Sequence, residues 1–136
     1  CWGGFWWCNN GASYSVIQGR VVNGRPNVQV MFLLPGQPSF GIDFVVDTGF
    51  NDYLTLPPQA ISVMNLPLYS SISARLADNS ESLLPIHIAT ILWDGEEKVV
   101  PVLATGMKPL LGTGLLTGFR LEIDFEVNGL VSIYKI

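Results

Sequence analysis

The chain has 136 residues, 49% of them hydrophobic and 13% charged, with a net charge of −4. That balance offers no basic stripe for nucleic acid, and no apolar run approaches the roughly 18 residues of a membrane-spanning helix. Nothing marks an interior linker, so one small domain is expected, a compact β protein apolar enough to bury surface against a partner as well.

Cys1-Trp2-Gly3-Gly4-Phe5-Trp6-Trp7-Cys8 differs from the rest: two cysteines bracket six residues, four of them aromatic, and a polar spacer with Gly and Ser follows over 9–15. No charged region precedes an apolar core, so it is not an ordinary signal peptide. Residues 1–15 are read as an appended leader, able to close into a loop through a Cys1–Cys8 disulfide, and the domain as 16–136. The functional alternatives are a tethered apolar peptide that fills a cleft and an aromatic contact patch. Two thiols with no histidine nearby make only half of a usual zinc site, so no metal or cofactor is expected. The rest of the chain has no cysteine, hence neither a disulfide framework nor a thiol nucleophile, and cysteine usage does not fix its redox compartment; the localisation is left unknown, with the cytoplasm as the expectation.

From Val16 the pattern is β. Val21-Val22 and the run 28–34 flank Asn23-Gly24, a pair suited to a tight hairpin, with Arg25-Pro26 able to lengthen it. Pro35-Gly36-Gln37-Pro38 turns the chain into a strand that ends Phe44-Val45-Val46-Asp47-Thr48-Gly49-Phe50. Acids are rarely buried without partners, so a carboxylate delivered by a buried strand points to chemistry rather than packing. Gly49 is expected to allow a positive φ and a close approach by another chain or a ligand.

Asn51-Asp52-Tyr53-Leu54-Thr55-Leu56 follows, and Pro57-Pro58 opens a short helix through Met64, stopped by Asn65 and Pro67. Runs 72–76 and 83–93 read as strands joined at Asp78-Asn79-Ser80. Asp94-Gly95 makes the next hairpin turn, into 98–104. Trp93 and Tyr53 read as packing residues, Glu96-Glu97-Lys98 as a solvated hairpin end, and His87 as facing solvent or a hydrogen-bond partner. Leu110-Leu111-Gly112-Thr113-Gly114-Leu115-Leu116 leads into Leu121, Ile123, Phe125 and Val127, which alternate with Glu122, Asp124 and Glu126 as in a strand with one wet face. Asn128-Gly129 then turns that strand into 130–136.

The two motifs, Asp47-Thr48-Gly49-Phe50 and Leu110-Leu111-Gly112 some sixty residues later, give 16–136 a resemblance to the retropepsin-like aspartic proteases, specifically to the small bacterial and archaeal members in which Phe follows the Asp-Thr-Gly. The resemblance implies an all-β, closed retropepsin-like barrel with one or two short helices, working as a homodimer on a peptide or protein substrate. Asp47, Thr48 and Gly49 are then the catalytic loop, with Thr48 hydrogen-bonding across the dimer axis. Phe50, Asn51, Asp52, Leu111 and a flap of Leu76, Ala77, Asp78, Asn79 and Ser80 become the substrate contacts. The flap has no glycine, so Asn79 is expected to supply its left-handed residue and the flap to be stiff. Val131, Ile133 and Ile136 would serve a shared terminal sheet in the dimer or complete the subunit's own barrel. Retroviral members have Ala where Phe50 stands, and an ion pair where Thr113 and Asn51 stand. Both positions are neutral here, so no charge is left buried alone, and a weaker dimer is expected.

Aspartic-protease chemistry needs two carboxylates about 3 Å apart that share one proton. One acts as general base on water while the other donates to the carbonyl oxygen. Neither Ala104-Thr105-Gly106 nor Gly112-Thr113-Gly114 carries an acid, and the chain is too short for two lobes, so the second carboxylate must come from another copy. Three alternatives stand beside this reading: a catalytically silent domain of the same fold used for dimerisation or peptide capture, a monomeric β-barrel binding module, and an Asp47 that merely caps a turn.

Overall fold

The structure is a computed structural model that describes residues 6–9, 12–75 and 78–136. The Cys1–Cys8 disulfide and the flap residues Leu76 and Ala77 lie outside the described residues. The first strands are β1 (Trp6–Asn9), β2 (Ala12–Val22), β3 (Arg25–Leu33) and β4 (Phe40–Val46). Asn23 and Gly24 take φ of 52° and 75°, a two-residue turn that pairs Val22 directly with Arg25, so Arg25-Pro26 belongs to the strand rather than lengthening the loop. Along β3 and β4 the period of two is strict: Val28, Val30, Phe32, Phe44 and Val46 are buried, with the Phe32 and Phe44 rings stacked at 5.9 Å.

After the Asp47 loop come β5 (Leu54–Leu56) and α1 (Pro58–Met64). Pro58 opens the helix, and Asn65, left-handed at φ 55°, ends it as expected. β6 (Leu68–Arg75), β7 (Glu81–Trp93) and β8 (Glu96–Ala104) form two successive hairpins, the second closed by Asp94 and Gly95 at φ 55° and 78°. β9 (Leu110–Leu111) and α2 (Thr113–Leu116) hold the second motif, followed by β10 (Phe119–Ile123) and β11 (Leu130–Lys135). Trp93 is buried edge-on against Phe119, and so is a packing residue.

The strands form one sheet in the order β10-β11-β2-β3-β4-β9-β5-β8-β7-β6, with β1 paired to β2. Because β3 also pairs with β7, the hydrogen-bonded path β3-β4-β9-β5-β8-β7 returns to β3. The core fills the space between these strands, with Leu54, Leu56, Ile91, Val102, Leu111 and Ile133 fully enclosed.

The last strands differ from expectation in one place. Alternation over 121–127 predicted one continuous strand, but β10 stops at Ile123 and leaves Phe125 and Val127 exposed. The chain folds back there: Val21 and Gly129 are joined by an N–H to O bond of 2.9 Å, the Asn128 N–H reaches the Val21 oxygen, and the Asp124 N–H reaches the Leu130 oxygen. A Cβ on Gly129 would collide with the Asp124 carbonyl, so only glycine closes this loop. For the terminal strand the sequence left two roles open. β11 is hydrogen-bonded on both edges within the chain, to β10 and β2, and buries Val131 and Ile133 completely, whereas Ile136 is exposed. Of the two roles open to these residues, Val131 and Ile133 complete the subunit's own core.

β9 positions the loop after β4. It lies between β4, parallel to it, and β5, antiparallel to it. Its floor is the buried Thr55, whose Oγ1 accepts the Leu110 N–H at 3.1 Å. Just beyond β9, a Cβ on Gly112 would sit 2.3 Å from the Asp52 carbonyl oxygen and 2.6 Å from both the Phe50 oxygen and ring. Since backbone atoms cannot yield as a flexible side chain can, Gly112→Ala should cost about 1–3 kcal/mol, comparable to overpacking a core. Thermal unfolding should show a lower Tm by several degrees, and an unchanged Tm would mean that this packing is looser than drawn.

Candidate active site

Asp47 stands one residue past β4, on the face of that strand opposite the core: Phe44 and Val46 point inward, so Asp43, Val45 and Asp47 point the other way. Its N–H donates to the Leu111 oxygen at 2.9 Å, which prolongs the β4–β9 ladder by one rung. One carboxylate oxygen, Oδ1, accepts the Gly49 N–H at 2.9 Å, and the Asp47 carbonyl accepts the Phe50 N–H at 3.1 Å. The carboxylate is thereby held by its own turn, partly exposed, at the end of a buried strand.

The second motif grips this loop from behind with three backbone donors. The N–H groups of Gly112, Thr113 and Gly114 bond the carbonyls of Tyr53, Phe50 and Asp52 at 2.9, 2.8 and 3.0 Å. Upstream, the Val45 N–H reaches the Pro109 oxygen at 3.0 Å. The stretch 109–114 therefore follows 45–53 almost residue by residue, and the two motifs singled out in the sequence are one structural unit.

Thr48 is exposed and its hydroxyl has no partner among the described residues. Gly49 does not take a left-handed φ, contrary to expectation. Its missing side chain matters for space instead, since a Cβ would stand 3.2 Å from Asp47 Oδ1, tighter than an ordinary contact, at the oxygen its own N–H binds. Phe50 is half-buried against Gly112, and Asn51 and Asp52 are exposed beside it. Leu111, expected among the substrate contacts, is instead fully buried in the core and serves the loop through its carbonyl. An apolar-apolar-Gly step on a strand enclosed on both sides packs inward, which sequence spacing alone does not reveal.

The tip of the β6–β7 hairpin carries the remaining candidates. Asn79 is left-handed at φ 71°, as expected of a tip without glycine, and its Oδ1 accepts from Arg75 at 3.0 Å. Asp78 Oδ1 accepts the Ser80 hydroxyl at 2.6 Å and the Ser80 N–H at 3.0 Å. These two donors, the hydroxyl foremost, hold the Asp78 carboxyl below the usual carboxylate range. Arg75 and Glu81 flank the tip 3.6 Å apart, both well exposed. His87, farther along β7, bonds the Leu66 carbonyl through Nδ1 at 2.9 Å, which makes Nδ1 the protonated nitrogen and the residue a structural tie between β7 and the end of α1. Among the described residues, no group of three or more His, Cys, Asp or Glu is arranged to hold a metal ion. No helix among them is long and apolar enough to cross a membrane.

Sequence reasoning missed one cation at this end of the sheet. The β3–β4 pairing ends at Asn27 opposite Val45, and Arg25, the first residue of β3, lies two residues beyond that pair, at the end of the hairpin that leads to Asp47. The tight Asn23-Gly24 turn was the available signal, because it commits Arg25 to the strand.

No protein-family model matches the chain, and no curated protein is similar to it in sequence. Among solved structures, the chain is similar to a retropepsin-like aspartic protease from Rickettsia conorii. The TM-score is 0.54 and the identity 16%, and the match covers 90% of this chain and 94% of that one. At that identity the likeness speaks to architecture: this chain has the fold of a retropepsin-like aspartic protease.

Proposed function

We propose that the chain is an aspartic endopeptidase in which two copies bring Asp47 and the partner's Asp47 together on a two-fold axis. The observation that carries this reading is the Asp47-Thr48-Gly49 loop itself: a partly exposed carboxylate at the end of a buried strand, clamped by four backbone bonds from 111–114. Holding a carboxylate that firmly, away from any salt bridge of its own, is poor economy for stability and good preparation for catalysis. The match to a protease fold over nine-tenths of the chain supports the same reading.

In the dimer the pair holds one proton, since two carboxylates at such short range cannot both ionise. The ionised member takes a proton from a water positioned between them. That water attacks the carbonyl carbon of the peptide bond, while the protonated member donates to the carbonyl oxygen. A gem-diol forms. The carboxyl that took the water's proton then gives it to the amide nitrogen, while the other carboxylate takes a proton from a gem-diol hydroxyl. The carbon–nitrogen bond breaks to leave an amine, a carboxylic acid and a dyad that again holds one proton. The Gly49 N–H keeps each carboxylate in plane, and the unpartnered Thr48 hydroxyl is free to bond the partner's loop. The closed-barrel form of the sheet, a flap of 76–80 closing over an extended peptide, and substrate contacts at Phe50, Asn51 and Asp52 belong to this proposal. So does the separation of residues 1–15 from the domain 16–136.

Asp47→Asn should abolish cleavage of extended, largely apolar peptides while sedimentation still finds the dimer. Mixing wild-type and Asp47→Asn chains gives the sharper result: if the pair works as a unit, activity falls with the square of the wild-type fraction after subunits exchange. A linear fall would mean that each subunit cuts alone. The pH profile of the wild-type dimer should be bell-shaped and report two apparent constants that belong to the pair, and a single sigmoid would contradict a shared proton.

A further inference from the structure

A cleft of about 390 Å³ opens beside the Asp47 loop, lined by Val22, Asn23, Arg25, Asn27, Asp43, Val45, Lys108 and Pro109. Its floor is the face of β4 that also carries Asp47: Val45 precedes Asp47 by two residues, so the cleft begins about 7 Å from the carboxylate, one full pleat of the strand. Arg25 lines it from the start of β3, at the Asp47 end of the β3–β4 pair, and Lys108 lines it from just ahead of β9.

The charges of this cleft differ from those of the molecule. The chain has a net charge of −4 and seven basic residues in all, yet two of those seven meet here against the single carboxylate of Asp43. Arg25, Lys108 and Asp43 form no ion pair with any described residue. Asp43 is the one carboxylate among the residues lining the cleft, so one positive charge of the Arg25 and Lys108 pair is left over there. Both cations are exposed, so no desolvation penalty has to be overcome before a ligand arrives.

We propose that this cleft is a substrate subsite for an acidic side chain, Asp or Glu, carried within two residues of the bond to be cut. This rests on the endopeptidase reading for its placement. An extended peptide rises about 3.3 Å per residue, so a side chain one or two positions from a carbonyl held at Asp47 reaches the cleft. There its carboxylate receives two parallel N–H bonds from the Arg25 fork, with Lys108 adding a point charge. Val45, Val22 and Pro109 cover the methylene stem, which is the usual composition of a selective pocket: apolar walls with a few convergent polar groups.

The test uses the full chain carrying Asp47→Asn, which can hold peptides without cutting them. Pairs of fluorescent extended peptides differ only in Glu or Gln at successive positions, and binding is read by polarisation. One position should favour Glu roughly tenfold at low salt, and the preference should shrink as salt screens it. Adding R25Q with K108Q should equalise that pair, and R25E should turn the preference towards Lys at the same position. D43N should instead strengthen Glu binding, a gain that a misfolded variant cannot give. Equal binding of every Glu and Gln pair overturns the proposal, as does failure to bind any peptide or a preference that survives R25Q with K108Q. Cleavage of the same peptides by the wild-type chain is measured alongside. Glu-selective binding without any cleavage keeps the subsite and removes the endopeptidase reading, whereas cleavage without Glu selectivity removes the subsite alone.

Discussion

The backbone ladder between 45–53 and 109–114 is the constraint on which the site depends. β9 contributes only two residues of strand, yet it sits between β4 and β5 and bonds both. Beyond it, Gly112, Thr113 and Gly114 give their amides to the three carbonyls that the loop after Asp47 would otherwise leave unpaired. A loop with its polar backbone satisfied from behind can present a carboxylate to the outside without moving. Gly112 makes this possible because the two chain segments approach more closely than any Cβ would allow.

The strands on either side turn that local clamp into a molecular face. Period-two alternation puts Phe44 and Val46 into the core, which leaves Asp43, Val45 and Asp47 on the opposite surface. The Asn23-Gly24 turn returns the chain with no spare residue, so Arg25 and Asn27 share that surface. A carboxylate, an apolar floor and one basic group therefore come from two adjacent strands of one hairpin, with Lys108 added by the segment that enters β9. Their rigidity is that of the sheet, which is what the proposed peptide site would require.

The chain's own terminal strand bears on how a second copy could attach. β11 is paired on both edges inside the subunit and buries Val131 and Ile133, so within this chain neither of its edges is open. The surfaces left for association are those near the Asp47 loop itself and the exposed apolar residues elsewhere, among them Phe125 and Val127 on the loop after β10. Contact close to the two-fold axis is what a pair of Asp47 loops would require.

Much of this architecture could be read from local chemistry. Asn23-Gly24, Asp94-Gly95, Asn65 and Asn79 are residues whose side chains or lack of them decide a backbone angle on the spot; each sits at the turn, helix stop or hairpin tip expected of it, and all take a positive φ. The apolar runs over 28–34 and 44–46, set off by turn residues, identified β3 and β4 because those strands bury one face steadily. Alternation failed over 121–127, where bonds from Val21 and Leu130 to a loop closed by Gly129 outweigh the pattern. The sequence by itself determined the β class, the turn positions and the two motifs, since these depend on residues adjacent in the chain. Only the tertiary structure decided that the motifs touch, that Leu111 is core rather than surface, and that Arg25, Asp43 and Lys108 line one cleft, because each follows from pairing between segments far apart, where register and close approach rather than composition choose the neighbour.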